Sequence, residues 1–295
     1  MGNTAGTETV SPRYASVETW DSRELVSGMI EGQFTAIAAV HAAAGQIALA
    51  IDHGAERLSR GGRLICLGAG TSGRLAALDA AELLPTFGWP AERAIALMAG
   101  GRGALEQSAE SAEDDAQAAI SDLDGIAIGA GDVAIAVAAS GRTPYVVAGL
   151  QHAREAGALA IGIFNNAGAP LGAVSDIAIL LESGAEVLAG STRMKAGTAQ
   201  KAALNCISTG LMIRLGYVYK GLMVEMQPSN AKLRDRAGKI VAKLSGASYD
   251  DACAALDETG GSIKLAAVML AHSLDRAGGL ALLDGAGGDL RKVLG

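Results

Sequence analysis

Strand-length runs of apolar residues alternate with helical patterns in the middle of this chain, and this alternation most restricts the possible fold. Residues 133–137 (Val-Ala-Ile-Ala-Val) contain no polar position, which indicates a strand that is buried on both faces. Such strands occur in parallel sheets that helices cover on both sides. The expected strands are 63–67, 94–98, 132–138, 158–163 and 177–181, and the expected helices are 72–84, 103–120, 143–156 and 194–215.

Helical patterns also lie on either side of this central part. Apolar residues at helical spacing between residues 21 and 59 predict two helices, and the polar residues 1–20 are expected to form an extended arm on a partner subunit. Three short amphipathic helices are expected at 231–244, 248–257 and 261–272, with one more beyond residue 275. We therefore predict an α/β fold with a parallel sheet flanked by helices, N-terminal helices and a small C-terminal helical module, divided at 1–54, 55–218 and 219–295.

Composition limits the classes of partner. The 295 residues carry a formal net charge of −7, which argues against nucleic acid or an anionic membrane surface. No apolar run reaches membrane-spanning length and the first residues lack a signal pattern, so no membrane partner is expected. Cys66, Cys206 and Cys253 are far apart among apolar neighbours, which favours buried free thiols in a reducing cytoplasm. The four histidines have no metal-ligand spacing, so no metal site is expected.

A glycine-rich turn at residues 68–74 (Gly-Ala-Gly-Thr-Ser-Gly-Arg) joins the first expected strand to a helix. The N–H groups and the dipole at a helix start favour an anion, usually phosphate, and Thr71 and Ser72 add hydroxyl donors. The turn also fits the G-x-G-x-x-G dinucleotide pattern, but no Asp or Glu follows strand 94–98 to hold a ribose. Binding of a small phosphate compound is favoured over NAD or FAD, and a turn that only packs a helix on a strand remains an alternative.

Two further junctions before expected helices carry hydroxyl groups. Their positions are Ser140, Thr143, Ser191 and Thr192. Because the carboxyl ends of parallel strands meet at one edge of a sheet, these loops can converge with Thr71 on one ligand. The simpler alternative for each loop is that its hydroxyl caps its own helix. Lys195 and Lys201, on the last of these helices, are expected to be exposed.

The carboxylates allow two interpretations. Glu82 lies among apolar neighbours, where a desolvated carboxyl could serve as a general acid. Glu106, Glu110 and Glu113 recur at spacings of four and three, so they would share one face of the helix expected at 103–120. The residues alone favour a solvated acidic face for these three, although a catalytic role remains open.

Five long motifs, in order, resemble those of the N-acetylmuramic acid 6-phosphate etherase family. They are residues 68–74, Glu82 with 85–88, Glu110 with 112–115, 138–145, and 190–193 with 195–201. The family usually reads Glu-Cys-Pro-Pro-Thr-Phe where this chain has Leu83 and Leu84 after Glu82, so the carboxylate is kept. The N-terminal segment is looser than the family's Thr-Glu-x-Arg-Asn-Pro opening.

The resemblance implies a fold and a reaction. The fold is a sugar isomerase (SIS) domain with a small tail like a ubiquitin-associated (UBA) domain, in a cytoplasmic homodimer whose sites a second subunit completes. The reaction cleaves the D-lactyl ether of N-acetylmuramic acid 6-phosphate with water, by elimination and then hydration. It gives N-acetylglucosamine 6-phosphate and D-lactate during recycling of cell-wall sugars. Such a carbon–oxygen lyase needs no metal or redox cofactor.

The resemblance also assigns residues. Glu82 corresponds to the acid for lactate departure and Glu113 to the base, and these two roles could be exchanged. Glu110 is a candidate for sugar hydroxyls. The candidates for phosphate or sugar contacts are Thr71, Ser72, Ser140, Thr143, Ser191 and Thr192.

Two other functions use similar loops. An aldose–ketose sugar phosphate isomerase has the same fold, but the segment from Glu82 to Phe87 together with Glu113 favours the etherase. A non-catalytic sugar phosphate sensor resembling the glucokinase regulator would need two SIS domains, and this chain has room for one.

Overall fold

The computed structural model describes residues 6–107 and 110–295. The chain forms two compact units, Met1–Ala81 with Glu92–Leu211, and Glu82–Ala91 with Met212–Gly295. The helices are α1 Ser22–Ala42, α2 Ala44–Ser59, α3 Gly70–Phe87, α4 Ala116–Gly125, α5 Pro144–Glu155, α6 Pro170–Ala173, α7 Lys195–Arg214, α8 Ala231–Ser245, α9 Tyr249–Glu258, α10 Ile263–His272, α11 Arg276–Gly285 and α12 Leu290–Leu294. The boundaries proposed from the sequence, at 54/55 and 218/219, stay a prediction.

The first unit contains a five-stranded parallel sheet in the order β2-β1-β3-β4-β5. Its strands are β1 Leu64–Gly68, β2 Ala94–Met98, β3 Val133–Val137, β4 Leu159–Phe164 and β5 Ile177–Leu180. This confirms the predicted α/β class and all five predicted strands. The chain runs from β1 to β2 in one direction and continues from β3 in the other, so the topological switch point lies between β1 and β3.

The pleat of the strands sends successive side chains to opposite faces of the sheet. Ile65 and Leu67 belong to the apolar cluster that contains residues of α4 and α5. On the other face, a Cβ atom at Gly54 of α2 would lie 3.9 Å from Val133 Cγ1. Both faces are therefore covered, which is why these strands contain no polar residue in alternation.

The N-terminal segment is not the extended arm that its polar composition predicted. Residues 6–20 contain three short 3-10 helices, Gly6–Glu8, Pro12–Tyr14 and Val17–Thr19. Thr7 is 1% exposed, because it folds back onto its own chain. Asp21 then caps α1 by accepting a hydrogen bond from Glu24 N at 2.9 Å.

The single helix predicted at 103–120 is also wrong, because the chain is broken there. A 3-10 helix ends at Leu105, a second one covers Glu110–Asp114, and α4 starts only at residue 116. Asp115 begins α4 by accepting a hydrogen bond from Ala118 N at 2.9 Å. Glu106, Glu110 and Glu113 therefore do not share one helix face, and residues 108–109 between them lie outside the described part.

The second unit is mainly helical. Side chains of five residues cap its helices: Asn230, Ser248, Ser262, Asp275 and Asp289. The three predicted helices are confirmed, but α10 is not amphipathic, because its first seven residues, Ile263–Met269, are all buried. The last part of the chain forms two helices, α11 and α12, where one was predicted. A short hairpin of β6 Val218–Tyr219 and β7 Leu222–Met223, which the sequence did not predict, precedes them. The resemblance of the C-terminal helical module to a ubiquitin-associated domain stays a prediction.

In residues 6–107 and 110–295, no single helix is both long and apolar enough to cross a membrane. The bent pair of α1 and α2, which meet at 55°, reaches the required length and apolar content only when the two are taken together.

Candidate active site

The glycine-rich turn packs the start of α3 closely against the end of β1. A Cβ atom at Gly68 would lie 2.6 Å from Gly73 Cα, which no side chain could tolerate. Gly70 adopts a φ of +52°, in the left-handed region that glycine favours. Gly68 and Gly73 therefore pack the helix against the strand, as the alternative to a phosphate site predicted. The turn also places Thr71 and Ser72 in the first turn of α3.

Glu113 lies directly against this turn. A Cβ atom at Gly70 would be only 2.8 Å from Glu113 Oε1. The short 3-10 helix Glu110–Asp114 brings this carboxylate to the start of α3. The contact therefore does not require the continuous helix that was predicted at 103–120. The side chain of Glu110, a predicted sugar contact, lies outside the described part of the structure.

Ser72 belongs to a buried hydrogen-bond network. Its Oγ donates to Gln200 Oε1 at 2.8 Å, and Gln200 Nε2 donates to Asn165 Oδ1 at 2.9 Å. Asn165 Nδ2 in turn donates to the carbonyl of Leu181 at 2.9 Å. The hydroxyl proton of Ser72 is thus directed to Gln200, which is fully buried, so Ser72 connects α3 to α7 and to the ends of β4 and β5.

The second predicted loop lies beside the first. Gly68 at the end of β1 is in register with Val137 at the end of β3, so both loops begin side by side at the switch point. Thr143 precedes α5, but its side chain makes no capping hydrogen bond. Ser140 Oγ accepts a hydrogen bond from Arg142 N at 3.1 Å. The capping alternative is therefore wrong for Thr143, and Ser140 stabilises its own turn.

Helix α7, which follows the third loop with Ser191 and Thr192, is capped by a residue that the sequence did not reveal. Glu186 is 1% exposed, and its two oxygens accept hydrogen bonds from Lys195 N at 3.0 Å and Ala196 N at 2.9 Å. This carboxylate, and not Ser191 or Thr192, satisfies the first N–H groups of α7 and interacts with its dipole.

Contacts around Gly197 bring the first and third loops together. A Cβ atom at Gly197 would lie 3.8 Å from Thr71 Cγ2 and 3.4 Å from the carbonyl oxygen of Thr192. Thr71, Thr192 and Glu113 therefore lie around the start of α3, with the loop of Ser140 and Thr143 beside it.

The two lysines of α7 are not the exposed residues that were predicted. Lys195 is 5% exposed, and its Cδ would be 3.0 Å from a Cβ atom at Gly32 of α1. Burial lowers the pKa of Lys195, while the negative charge of Glu186 acts in the opposite direction. Lys201 Nζ pairs with Asp79 Oδ1 at 3.0 Å, which joins α7 to α3.

Glu82 is on α3, but its environment differs from the prediction. Its side chain is exposed, whereas the apolar neighbours in the sequence indicated burial. Glu82 follows Gly70 by twelve residues in the same helix.

The cysteines match their prediction only in part. All three are free, and Cys66 is fully buried in β1, where burial raises the pKa of its thiol to about 12. Cys206 is exposed and Cys253 is half-buried, so the prediction that all three are buried is wrong. Among the residues that the structure describes, no three His, Cys, Asp or Glu side chains are grouped so that they could hold a metal ion.

Family models match the central part of the chain. The model of the N-terminal SIS domain of glucokinase regulatory protein matches residues 46–154, and the general SIS domain model matches residues 115–208. A solved structure, the E. coli CFT073 protein c3406 in complex with A5P, is 16% identical with a TM-score of 0.50. The match covers 68% of this chain and 97% of that one, and it supports the SIS fold alone.

Curated relatives match almost the whole chain. A protein of Deinococcus radiodurans is 51% identical over 98% of this chain and 95% of its own length. Relatives from Mycolicibacterium smegmatis and Enterobacter sp. are 44% and 43% identical, over 98% and 97% of this chain and 97% of their own lengths. All three are named N-acetylmuramic acid 6-phosphate etherase.

Proposed function

This chain belongs to the N-acetylmuramic acid 6-phosphate etherase family, and on that premise we propose a mechanism for its site. The protein is a carbon–oxygen lyase that cleaves the D-lactyl ether of N-acetylmuramic acid 6-phosphate with water. Its products are N-acetylglucosamine 6-phosphate and D-lactate, and it serves the recycling of cell-wall sugars. The resemblance found in the motifs is thereby confirmed.

One observation supports the mechanism most directly, namely the carboxylate of Glu113 beside the turn that begins α3. Phosphate is favoured at such a helix start, so a sugar anchored there would present its carbon chain to Glu113. A positioned general base typically contributes about 10²–10⁴-fold to the rate.

In the first half of the reaction, Glu113 takes the C2 proton of the open-chain aldehyde, whose carbonyl makes that proton acidic. The electron pair forms the C2–C3 double bond while the C3–O bond breaks, and protonated Glu82 gives its proton to the departing lactate oxygen. Water then adds to the enal: Glu82 takes a proton from the water as its oxygen bonds to C3, and Glu113 returns its proton to C2, so both glutamates regain their starting states. The roles of the two glutamates could be exchanged.

Hydroxyl groups of the three loops bind the phosphate and the sugar in this proposal. Thr71 and Thr143 stand at the starts of α3 and α5, where the helix dipoles favour the phosphate. Ser191 and Thr192 approach from the third loop, and Ser140 from the second. Glu110 is kept as a candidate for sugar hydroxyls, and Ser72 acts through its bond to Gln200.

The two alternative functions are not favoured. Relatives at 43–51% identity over 97–98% of this chain are etherases, whereas the similarity to the solved structure is limited to the fold. An isomerase would shift a carbonyl group without releasing lactate, and a sensor would bind without turnover.

We further propose a homodimer in which the partner supplies Glu82. C2 and C3 are bonded neighbours, so their acid and base must stand within a few ångströms of each other. Gly70, which Glu113 contacts, and Glu82 are twelve residues apart on α3, so the proposal takes the acid from the α3 of a second subunit. The exposure of Glu82 suits a residue that acts in the partner's site.

An apolar stripe on α1 offers a surface for such a partner. Its residues recur at spacings of four and three and are 52–73% exposed: Val26, Ile30, Phe34 and Ile37. Such contiguous apolar surface usually marks an interface. We also place the enzyme in the cytoplasm, in line with its free thiols.

The decisive experiment incubates the protein with N-acetylmuramic acid 6-phosphate and measures free D-lactate. We expect lactate release that persists in EDTA, because two carboxylates and a phosphate anchor suffice. Glu82→Ala should abolish lactate release while the affinity for the product stays within about tenfold. The reason is that a general acid acts in the transition state and contributes little to binding the product. Absence of lactate with the wild-type protein would reject the function, and loss of binding in the variant would make Glu82 structural.

Mixing two inactive variants tests the shared site. A dimer of one Glu82→Ala and one Glu113→Ala subunit contains one site with both glutamates intact. After random exchange, half the dimers are mixed, so about one quarter of the wild-type activity should return. No recovery after confirmed subunit exchange would place both carboxylates in the same chain.

A further inference from the structure

The N-terminal segment is built into the edge of the sheet through Thr7. Thr7 N and Thr7 Oγ1 lie 3.2 and 3.3 Å from Asn166 Oδ1, and Asn166 Nδ2 donates to Thr7 Oγ1 at 3.0 Å. Asn166 is itself 4% exposed and follows directly after β4 and Asn165. Three polar contacts to one buried amide are more than a loosely attached terminus would make.

Thr7 also joins two of the substrate loops. Asn166 Nδ2 donates to the carbonyl of Ala139, the residue before Ser140, at 2.9 Å. Gly190 N, in the third loop, donates to the carbonyl of Thr7 at 2.9 Å. The segment is therefore held between the second and third loops, at the edge where the substrate is proposed to bind.

This placement brings a further carboxylate to the third loop. A Cβ atom at Gly190 would lie 2.9 Å from Glu8 Oε2, and Gly190 has a φ of +79°. Gly190 is followed by Ser191 and Thr192, the two hydroxyl residues of that loop. Glu8 itself is exposed, so its carboxylate can reach a ligand.

We propose that Glu8 binds the substrate by accepting hydrogen bonds from its hydroxyl or amide N–H groups, and that Thr7 is the positioning residue that holds Glu8 there. A carboxylate repels phosphate, so the part of the ligand beside Glu8 must be a neutral donor group. The phosphate then lies towards the starts of α3 and α5, which fixes the direction of the sugar across the site. This inference rests on the proposed function.

Binding measurements with two probes test the role of Glu8. In Glu8→Gln, we expect N-acetylglucosamine 6-phosphate to bind about tenfold more weakly, because a charge-assisted hydrogen bond becomes a neutral one. Inorganic phosphate should bind as it does to the wild type, within about twofold. The matched control is Glu18→Gln, an exposed glutamate of the same segment, which should change neither affinity.

Any other pattern overturns the proposal. Unchanged affinity for the sugar phosphate means that Glu8 does not touch it. An equal loss for both probes means that the segment has only a structural role. Tighter binding of phosphate means that Glu8 faces the phosphate. Lactate release by the wild type is measured in parallel, so a failure of the proposed function is recognised separately.

Kinetics of two Thr7 variants test the positioning role. Thr7→Val keeps the shape but loses the hydroxyl, and we expect KM to rise about three- to tenfold with kcat nearly unchanged. Thr7→Ser keeps the hydroxyl and should restore KM. A KM that is the same in both variants, or a loss of kcat that Thr7→Ser does not restore, contradicts the role of Thr7.

Discussion

Replacing Gly70 by alanine tests how closely the glycine-rich turn and Glu113 are coupled. At a φ of +52°, a residue with a Cβ costs about 1–2 kcal/mol, so the melting temperature should fall by about 2–6 °C. The new Cβ would lie 2.8 Å from Glu113 Oε1, so the carboxylate must retreat by about 0.6 Å to reach ordinary contact. Since a misplacement of about 1 Å can cost about 10²-fold, kcat should fall by at least about tenfold.

The assay is steady-state release of D-lactate, with KM measured in parallel and expected to change little. The matched control is Gly246→Ala in the other compact unit, where φ is +75° and a Cβ atom would meet nothing within 4 Å. It should lower the melting temperature by a similar amount while keeping kcat. If Gly70→Ala loses stability yet keeps kcat within about twofold, the contact with Glu113 has no role in turnover.

Two stability predictions follow from buried carboxylates. Glu186→Ala leaves two N–H groups at the start of α7 without an acceptor, so the free energy of unfolding in urea should fall by about 2–4 kcal/mol. Millimolar phosphate should restore part of this stability, because the uncapped helix start becomes an anion site. Burial alone would raise the pKa of Asp132, but hydrogen bonds from Arg63 and from Gly129 N lower it overall. Its stabilisation is therefore present above about pH 4 and is lost as the pH falls through the lowered pKa of the folded state, so Asp132→Asn should cost about 2 kcal/mol or more at pH 7 and progressively less as the pH falls below about 4. A phosphate effect equal to that on wild type, or a cost for Asp132→Asn that does not depend on pH, would contradict these two predictions.

The sheet could be predicted because its signal is local and strong. A run such as residues 133–137 has no polar position, and only a strand buried on both faces explains it. The hydroxyl loops follow from the same logic, because parallel strands end at one edge. Neither prediction needed a contact between distant parts of the chain.

The two errors, the continuous helix at 103–120 and the extended N-terminal arm, have separate physical causes. Asp115 begins a helix inside a stretch that reads as continuously helical, so its capping bond to Ala118 outweighs the apolar periodicity. Thr7 folds back because Asn166, 159 residues away, offers it a buried partner. Polar composition alone could not reveal that partner.

Long-range polar contacts also limit what the sequence says about the site. Gln200 bonds to Ser72 across 128 residues and to Asn165 across 35, and no local pattern predicts either pair. A buried glutamine in an alanine-rich helix was the only signal that could have indicated the network. The role of Glu82 is hidden for another reason, since its proposed partner is a second chain.

The first two turns of α7 make contacts that depend on the exact length of the helix. Glu186 fixes where the helix begins, Gln200 engages Ser72, and Lys201 engages Asp79. One residue inserted between the capped start and Gln200 would turn both side chains by about 100° and advance them by about 1.5 Å. The contacts of Gln200 with Ser72 and of Lys201 with Asp79 would both be lost, so substitutions in this stretch should be tolerated far better than insertions.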